Sequence, residues 1–213
     1  MQPAERKTWR WIALATACFA ALTALVQSHA LLGFDYHTTV WLNARGNRFT
    51  DWTMSVITDA ATPELSIVLC GVLVVFLWWR FGWRPAACLF AAFVGGTVLE
   101  IALKNYVTQP GPHGLINRYM FGAGWFHIKY PYAYPSGHAL RALLLIGTIA
   151  LWVMPRGAAF WWTLAALVGV SRLYLGHHWT SDVLGGAVLA AALLMVIGTQ
   201  IKPLETKWSS RSA

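Results

Sequence analysis

Two short stretches of the sequence concentrate residues suited to acid–base and nucleophilic chemistry. The stretch Ser171 to Asp182, "SRLYLGHHWTSD", holds one arginine, two adjacent histidines and one aspartate. The stretch Tyr134 to Arg141, "YPSGHALR", places a histidine directly after a Pro-Ser-Gly run. Histidine titrates near neutral pH, and the guanidinium of arginine matches the geometry of phosphate. Ionisable groups beside long apolar runs are costly unless they serve a function, so these stretches are the first candidates for a site that acts on an anion.

The Pro-Ser-Gly run predicts the start of an apolar helix. Ser136 can cap this helix, and Gly137 lets the backbone approach a ligand. Free N–H groups at a helix start bind anions, and His138 adds a titratable group in the same turn. Taken without His138, the Pro-Ser-Gly run has a simpler alternative, an ordinary capped membrane helix that binds no anion.

A third stretch, "LEIALKNYVTQPGP" from Leu99 to Pro112, ends an apolar run with a lysine. Lys104 follows Glu100 by one helical turn on the same face. Lys104 is therefore either an anion-binding residue or a side chain that extends to the interface and pairs with Glu100.

The composition is that of a membrane protein. Of the 213 residues, 57% are hydrophobic and 11% are charged, whereas a soluble domain carries about 25% charged residues. The net charge of +8 comes from scattered basic residues, which anionic lipids explain better than nucleic acid does. Cys18, Cys70 and Cys88 lie in apolar segments without the spacing of a disulfide framework or metal site. We expect residues 1–213 to form a single membrane domain.

Apolar segments that approach the bilayer-spanning length of about 20 residues predict an all-α bundle of six transmembrane helices. The predicted spans are 11–32, 64–79, 86–103, 137–154, 160–171 and 183–201. The first also resembles a cleavable signal peptide, because a basic start and an apolar core precede "SHA" at 28–30. Cleavage would leave the other five spans on the same sides.

The distribution of basic residues predicts the orientation of the bundle. Loops on one side of the six spans carry nine lysines and arginines, and the opposite side carries seven. By the positive-inside rule the richer side is cytoplasmic, so both termini are cytoplasmic and Gly122–Tyr130 lies outside. The three polar stretches then face the outer side, at helix ends that a small bundle can bring together.

Together the stretches resemble a known family. "SRLYLGHHWTSD" fits the pattern Ser-Arg, five residues, His, three residues, Asp, and "PSGH" fits a second motif without change. Both are motifs of the type 2 phosphatidic acid phosphatase superfamily, which includes membrane lipid phosphatases and, more distantly, the soluble vanadium-dependent haloperoxidases. The resemblance covers residues from about 100 to 185. The family's first motif, Lys, six residues, Arg-Pro, matches at Lys104 and Pro112, but Gly111 stands at the arginine position.

The resemblance implies a metal-independent phosphatase that needs no cofactor. His178 is then the nucleophile that forms a phosphohistidine, Asp182 holds its other ring nitrogen, and His138 protonates the leaving group. The side chains and backbone groups that bind the phosphate oxygens are those of Lys104, Ser136, Gly137 and Arg172.

His177 is the competing choice of nucleophile. Only His178 keeps the five-residue and three-residue spacings to Arg172 and Asp182, so we expect His177 to be a supporting or interfacial residue. The two histidines with Asp182 also suggest a zinc site. Adjacent side chains diverge, however, and no third ligand follows at helical spacing, so we expect no metal.

The absence of an arginine at Gly111 predicts that another cation binds the phosphate. Arg141 is the first choice, because it lies three residues after His138 on the same helix face. Arg118 in the long loop and His113 beside the motif are the next choices. The alternative is that Arg141 extends to the outer interface or pairs with an acid.

The expected function is hydrolysis of a lipid phosphate or diphosphate at the outer face of a bacterial inner (plasma) membrane. Polyprenyl diphosphate, phosphatidylglycerophosphate, phosphatidate and lipid A types all fit, and the expected partners are this substrate and membrane lipids, without nucleic acid. One alternative is a lipid phosphotransferase that uses the same histidine. Another is a non-catalytic transporter or structural protein with a degenerate site, which Gly111 suggests and the intact spacings of the other motif residues oppose. The oligomeric state stays open.

Overall fold

The fold is a bundle of helices in a computed structural model that describes residues 3–112, 117–121 and 130–209, and the side chains of 5–112, 117–121 and 130–201. No strand occurs in these ranges, which confirms the all-α prediction. His113 and residues 122–129 of the expected outer loop lie outside the described residues. The helices are α1 (Pro3–Gln27), α2 (Leu32–Asn43), α3 (Arg48–Asp59), α4 (Pro63–Phe81), α5 (Trp83–Tyr106), α6 (Gly137–Thr148), α7 (Ala158–Tyr174) and α8 (Thr180–Ser209), with a π-helical segment at Ile149–Val153 and a 3₁₀ turn at Pro155–Gly157.

Each predicted span falls largely on a helix, but not every helix has the length and hydropathy that crossing a membrane requires. Four helical segments in the described chain meet both conditions: Glu5–Gln27, Pro63–Phe81, Trp83–Tyr106 and Thr180–Ile201. The helix over Gly137–Val153 is apolar but shorter, and α7 has 17 residues. The protein is therefore an integral membrane helical protein, and the count of six spans stays a prediction.

The segment between the first two spans departs from the prediction. The first span was expected to reach residue 32, but α1 ends at Gln27, and His29 adopts a positive φ of 59°. Two helices of 12 residues each, α2 and α3, then fill the segment between the first two predicted spans, for which the sequence predicted no helix. Both are too short to cross a membrane, and both mix polar with apolar residues. Neither therefore contains the long apolar run that predicts a span. A capping box between Asn47 and Thr50 begins α3.

The core forms where α8 packs against α1, α5 and α6, and α6 packs against α7. Leu140 and Leu144 of α6 meet Leu189 and Ile197 of α8 in this core. Large apolar side chains such as Trp79 of α4 are exposed, as expected of a surface in contact with lipid.

Small residues bring the starts of α6 and α8 together. A Cβ atom on Gly186 would collide with the carbonyl oxygen of Ser136, so only glycine permits this approach. The backbone N–H of Ser136 then donates to the carbonyl of Asp182 at 2.9 Å. Two of the predicted motifs are thereby joined by the main chain itself.

We predict that the two ends of the bundle lie on opposite sides of the membrane. Arg45, between α2 and α3, and Arg84, in the first turn of α5, are both exposed and belong to opposite ends. After replacement of the native cysteines, an impermeant thiol reagent should label Arg45→Cys in intact cells, and Arg84→Cys only after permeabilisation. Labelling of Arg84→Cys in intact cells would contradict this orientation.

Candidate active site

The centre of the site is a buried histidine–aspartate pair at the start of α8. The Nδ1 atom of His178 lies 3.2 Å from Oδ2 of Asp182, and the same oxygen accepts the backbone N–H of Trp179 at 2.9 Å. His178 is 7% exposed and Asp182 is fully buried. The contact through Nδ1 fixes the orientation of the ring relative to Asp182.

A tight turn after α7 returns His178 to the neighbourhood of Arg172. The backbone N–H groups of His177 and His178 both donate to the carbonyl of Arg172, at 3.0 and 3.2 Å. Gly176 permits this turn with a φ of 74°. The five-residue spacing between Arg172 and His178 is therefore the length of this closed turn.

The start of α6 contributes the second histidine. The Ser136 side chain caps the helix by accepting the N–H of Ala139, as the sequence predicts. His138 is partly exposed and lies within electrostatic range of four cationic or titratable groups. These groups are Arg172, Arg141, His178 and Lys104. The structure thus brings the three sequence motifs to one place.

A buried carboxylate, Glu100, joins two of the predicted phosphate-binding cations. Its Oε1 contacts Nζ of Lys104 and its Oε2 contacts Nη1 of Arg141, each at 2.8 Å. All three residues are less than 9% exposed. A Cβ atom on Gly137 would collide with this carboxylate, so part of the space beside Gly137 holds Glu100. Lys104 and Arg141 thus both pair with an acid, which was the alternative to phosphate binding for each residue. Phosphate binding by either residue stays a prediction.

Donors remain for an additional anion. With two cations and one anion, the group of Glu100, Lys104 and Arg141 has a formal charge of +1. Within the described part of the chain, the buried Nε atoms of Arg141 and Arg172 have no hydrogen-bond partner. Buried unpaired donors are uncommon in proteins and here suit a bound phosphoryl group.

Arg172 is supported by the unexpected helix α3. Its Nη1 donates to Oγ1 of Thr58 at 3.0 Å, and the phenol of Tyr119 donates to Oδ1 of the adjacent Asp59 at 2.7 Å. Burial and this hydrogen bond raise the pKa of Tyr119 to about 12, so its phenol stays protonated at neutral pH. The ring of Tyr119 also meets the ring of His177 edge to face, with 5.4 Å between the centroids.

The second candidate for the missing motif arginine has other partners. Arg118 donates through Nε and Nη2 to Asn43, at 3.1 and 2.9 Å, and its Nη1 lies 3.3 Å from Asp51. These contacts attach Arg118 to α2 and α3. Arg141 is therefore the better placed of the two, while His113 lies outside the described residues.

Sequence reasoning missed three polar residues that surround Asp182. These are Asp35, Gln109 and Ser181, all buried and hydrogen-bonded to one another. Asp35 had no recognisable local pattern, because its partners lie on distant segments. Gln109 lies between Lys104 and Pro112 of the first motif, so its position in the sequence could have indicated a role in the site. No group of three or more His, Cys, Asp or Glu side chains that could hold a metal occurs in the described residues.

The fold is that of an integral membrane helical protein with a buried His–Asp pair near a cluster of cationic side chains. Residues 85–204, more than half of the chain, match the PAP2 superfamily, and the protein belongs to this superfamily. This confirms the prediction of the family and, with it, of a phosphatase. The matched residues include all three motifs.

The relatives cover most of the chain. It is 26% identical to the undecaprenyl-diphosphatase of Sulfolobus acidocaldarius, over 87% of this chain and 88% of that protein. It is 27% identical to the undecaprenyl-diphosphatase BcrC of Bacillus subtilis, over 76% of this chain and 75% of that protein. The crystal structure of a transmembrane PAP2-type phosphatidylglycerolphosphate phosphatase from Bacillus subtilis has a TM-score of 0.72 at 20% identity, over 88% of this chain and 94% of that chain. At that identity the likeness shows the shared fold.

We predict that the two adjacent histidines differ sharply in importance. His178→Ala should abolish phosphate release, because it removes the ring held by Asp182. His177→Ala should keep about a tenth or more of the parental rate, because it removes a ring contact with Tyr119. Initial rates of phosphate release by the purified variants measure both, and full activity of the His178→Ala variant would show that the assignment is wrong.

Proposed function

We propose that the protein hydrolyses a membrane lipid diphosphate or phosphate at the outer face of the membrane through a phosphohistidine on His178. The observation that carries this proposal is the buried His178–Asp182 pair within electrostatic reach of His138, which Lys104, Arg141 and Arg172 surround. A nucleophile, an acid and several cations are what metal-free phosphoryl transfer needs.

The first step transfers the phosphoryl group to the enzyme. Nε2 of His178 attacks phosphorus while the bond from phosphorus to the leaving oxygen breaks. Asp182 holds the Nδ1 proton and stabilises the positive charge that the ring acquires. His138 gives a proton to the leaving oxygen, so a lipid alcohol departs from a monophosphate, and a lipid monophosphate departs from a diphosphate, with that oxygen protonated.

The second step returns the enzyme to its starting state. His138, now neutral, takes a proton from a water molecule, whose oxygen attacks the phosphohistidine. The P–N bond breaks, the electron pair returns to Nε2 of His178, and inorganic phosphate leaves. A lipid phosphotransferase would differ only in using an alcohol in place of water.

The cations stabilise the charge that develops on the phosphoryl oxygens. Lys104, Arg172 and the N–H groups at the start of α6 follow from the motifs, with the Ser136 hydroxyl beside them. Arg141 supplies the guanidinium that Gly111 cannot, since its buried Nε is unpartnered while Glu100 holds one end of the side chain. Fixed donors in a site that excludes water are worth more than the same donors in water.

A polyprenyl diphosphate is the substrate class that we favour. The two relatives reported above, which align with at least three quarters of the chain, are both named undecaprenyl-diphosphatases. A phosphatidylglycerophosphatase B of Bacillus subtilis matches only 31% of the chain. Phosphatidylglycerophosphate, phosphatidate and lipid A types are the substrates to compare.

The proposal includes the place of the site in the cell. We place the protein in a bacterial inner (plasma) membrane, with both termini cytoplasmic and the site on the periplasmic or extracellular side. Contacts of α1 support its retention as a span rather than its removal as a signal peptide. Val26 is fully buried, and Oγ1 of Thr23 lies 2.9 Å from the phenol oxygen of Tyr134 beside the site.

Phosphate release from a panel of lipids by the purified protein in detergent, with EDTA present, tests the proposed function. We expect release from farnesyl diphosphate, a short polyprenyl diphosphate, to exceed release from phosphatidate. The matched control is the His178→Ala variant. A parental protein that releases phosphate from no lipid in the panel would instead favour the non-catalytic alternative.

We predict that Arg141 and position 111 act on one phosphate. Arg141→Ala should lower kcat/KM by about 10²–10³, the usual loss for one donor at such a site. Adding Gly111→Arg to that variant should restore part of the activity, so the two effects should not be additive. Arg118→Ala is the matched control because its guanidinium contacts Asn43 and Asp51. A parental kcat/KM for the Arg141→Ala variant would exclude Arg141 as the replacement.

A further inference from the structure

Asp35 is a fully buried carboxylate that the proposed mechanism does not use. It lies on α2, a helix that the sequence analysis did not anticipate. A buried ionised carboxylate is costly unless hydrogen bonds and charges compensate it. Its partners therefore indicate what the group is retained for.

The carboxylate of Asp35 is bound to the first turn of α8. Its Oδ1 accepts the backbone N–H of Ser181 at 2.8 Å, and its Oδ2 accepts the hydroxyl of Ser181 at 2.6 Å. A second contact between the same two helices joins Oγ1 of Thr38 and Oγ1 of Thr180 at 2.6 Å. Helix α2 is thus attached to the turn that carries Asp182.

The amide of Gln109 bridges Asp35 and Asp182. Its Nε2 lies 3.0 Å from Oγ of Ser181, 3.3 Å from Oδ2 of Asp35 and 3.4 Å from Oδ1 of Asp182, so one amino group links the two carboxylates and the serine hydroxyl. The Gln109 backbone is fixed in turn, because its carbonyl accepts the N–H of Ala133 at 3.1 Å. The carbonyl of the next residue, Pro110, accepts the indole N–H of Trp179 at 2.7 Å.

Both oxygens of Asp182 are therefore held. Oδ2 accepts from Trp179 and contacts His178, and Oδ1 accepts from Gln109. The carboxylate cannot rotate without losing one of these contacts. The carboxylate of Asp35 contacts the same amino group of Gln109 and lies within electrostatic range of Asp182.

We propose that Asp35 is a positioning residue that acts through Gln109 and Ser181 to orient Asp182 and to stabilise the positive charge on His178. This inference rests on the proposed function, since it gives His178 the role of nucleophile. A second carboxylate behind the first favours the cationic ring of the phosphohistidine and of the protonated enzyme. The competing explanation is that Asp35 only caps the start of α8 and so contributes to stability alone.

The pH dependence of kcat/KM separates these explanations. The described groups around His178 include Asp182 on α8, which contacts its ring, and His138 on α6, which lies within electrostatic range. His138 is in turn within electrostatic range of Arg172 on α7, Arg141 on α6 and Lys104 on α5, and Asp182 is within range of Asp35 on α2 and Lys104. The acid limb of the profile reports the protonation of His178 in the free enzyme, because only the neutral ring is a nucleophile. Removing a nearby negative charge makes the ring harder to protonate, so that limb should move to lower pH.

The experiment measures hydrolysis of farnesyl diphosphate in detergent across pH for the parent and three variants. Asp35→Asn keeps the size of the side chain and removes its charge, and its acid limb should move down by about one pH unit, the size of a Coulomb effect at an effective dielectric constant of about 20. Gln109→Met removes the bridge, so two buried carboxylates lose their shared donor and one of them takes up a proton, which should move its limb down as well. Thr38→Val is the matched control, because it removes another contact between α2 and α8 and no charge, and its limb should stay with the parent.

Each outcome decides the matter. Acid limbs that stay with the parent in both Asp35→Asn and Gln109→Met, together with lower melting temperatures, would show that Asp35 is a cap and overturn the inference. If Asp35→Asn does not fold, the limb of Gln109→Met decides alone, since a downward shift supports the inference and no shift or an upward shift overturns it. A parent that hydrolyses no lipid would refute the proposed function instead, and the inference with it.

Discussion

The pairing of the buried carboxylate of Glu100 with two cations organises the end of the bundle that carries the site. Glu100 and Lys104 lie on α5, whereas Arg141 lies on α6, so this group sets the distance between the two helices. Gly137 is required beside it, since any larger side chain would collide with the carboxylate. Removing one partner of a buried ion pair leaves an unpaired buried charge, and this typically costs far more stability than the intact pair contributes. The positions of Lys104 and Arg141 therefore depend on Glu100.

The site separates its charges into two neighbouring regions. Lys104, Arg141 and Arg172 form a cationic region that suits a phosphoryl group. Asp182 and Asp35 form an anionic region behind the ring of His178. The ring of His178 contacts Asp182 through Nδ1. In the proposed mechanism, the carboxylates would stabilise the positively charged ring of a phosphohistidine and the cations would stabilise its phosphoryl oxygens.

The sequence predicted what depends on local spacing and on long apolar runs. The cap at Ser136 and the contact between His178 and Asp182 each lie within a few residues of chain, and both are found. The pairing of Arg141 with Glu100 and the bonds of Asp35 to Ser181 join residues that are 41 and 146 positions apart. Such contacts depend on which helices pack together, and no local pattern reports that. Helices α2 and α3 were not predicted for a related reason. Their buried polar residues interrupt the apolar pattern by which a sequence indicates a packed helix.

The central claim is that the reaction passes through a covalent intermediate on His178, and stereochemistry at phosphorus tests it most directly. A lipid phosphorothioate monoester made chiral with oxygen isotopes would be hydrolysed in isotopically labelled water, and the configuration of the released thiophosphate determined. Each in-line displacement inverts the configuration at phosphorus, so transfer to His178 followed by transfer to water predicts overall retention. Overall inversion would mean that water attacks the substrate directly, and would contradict the account.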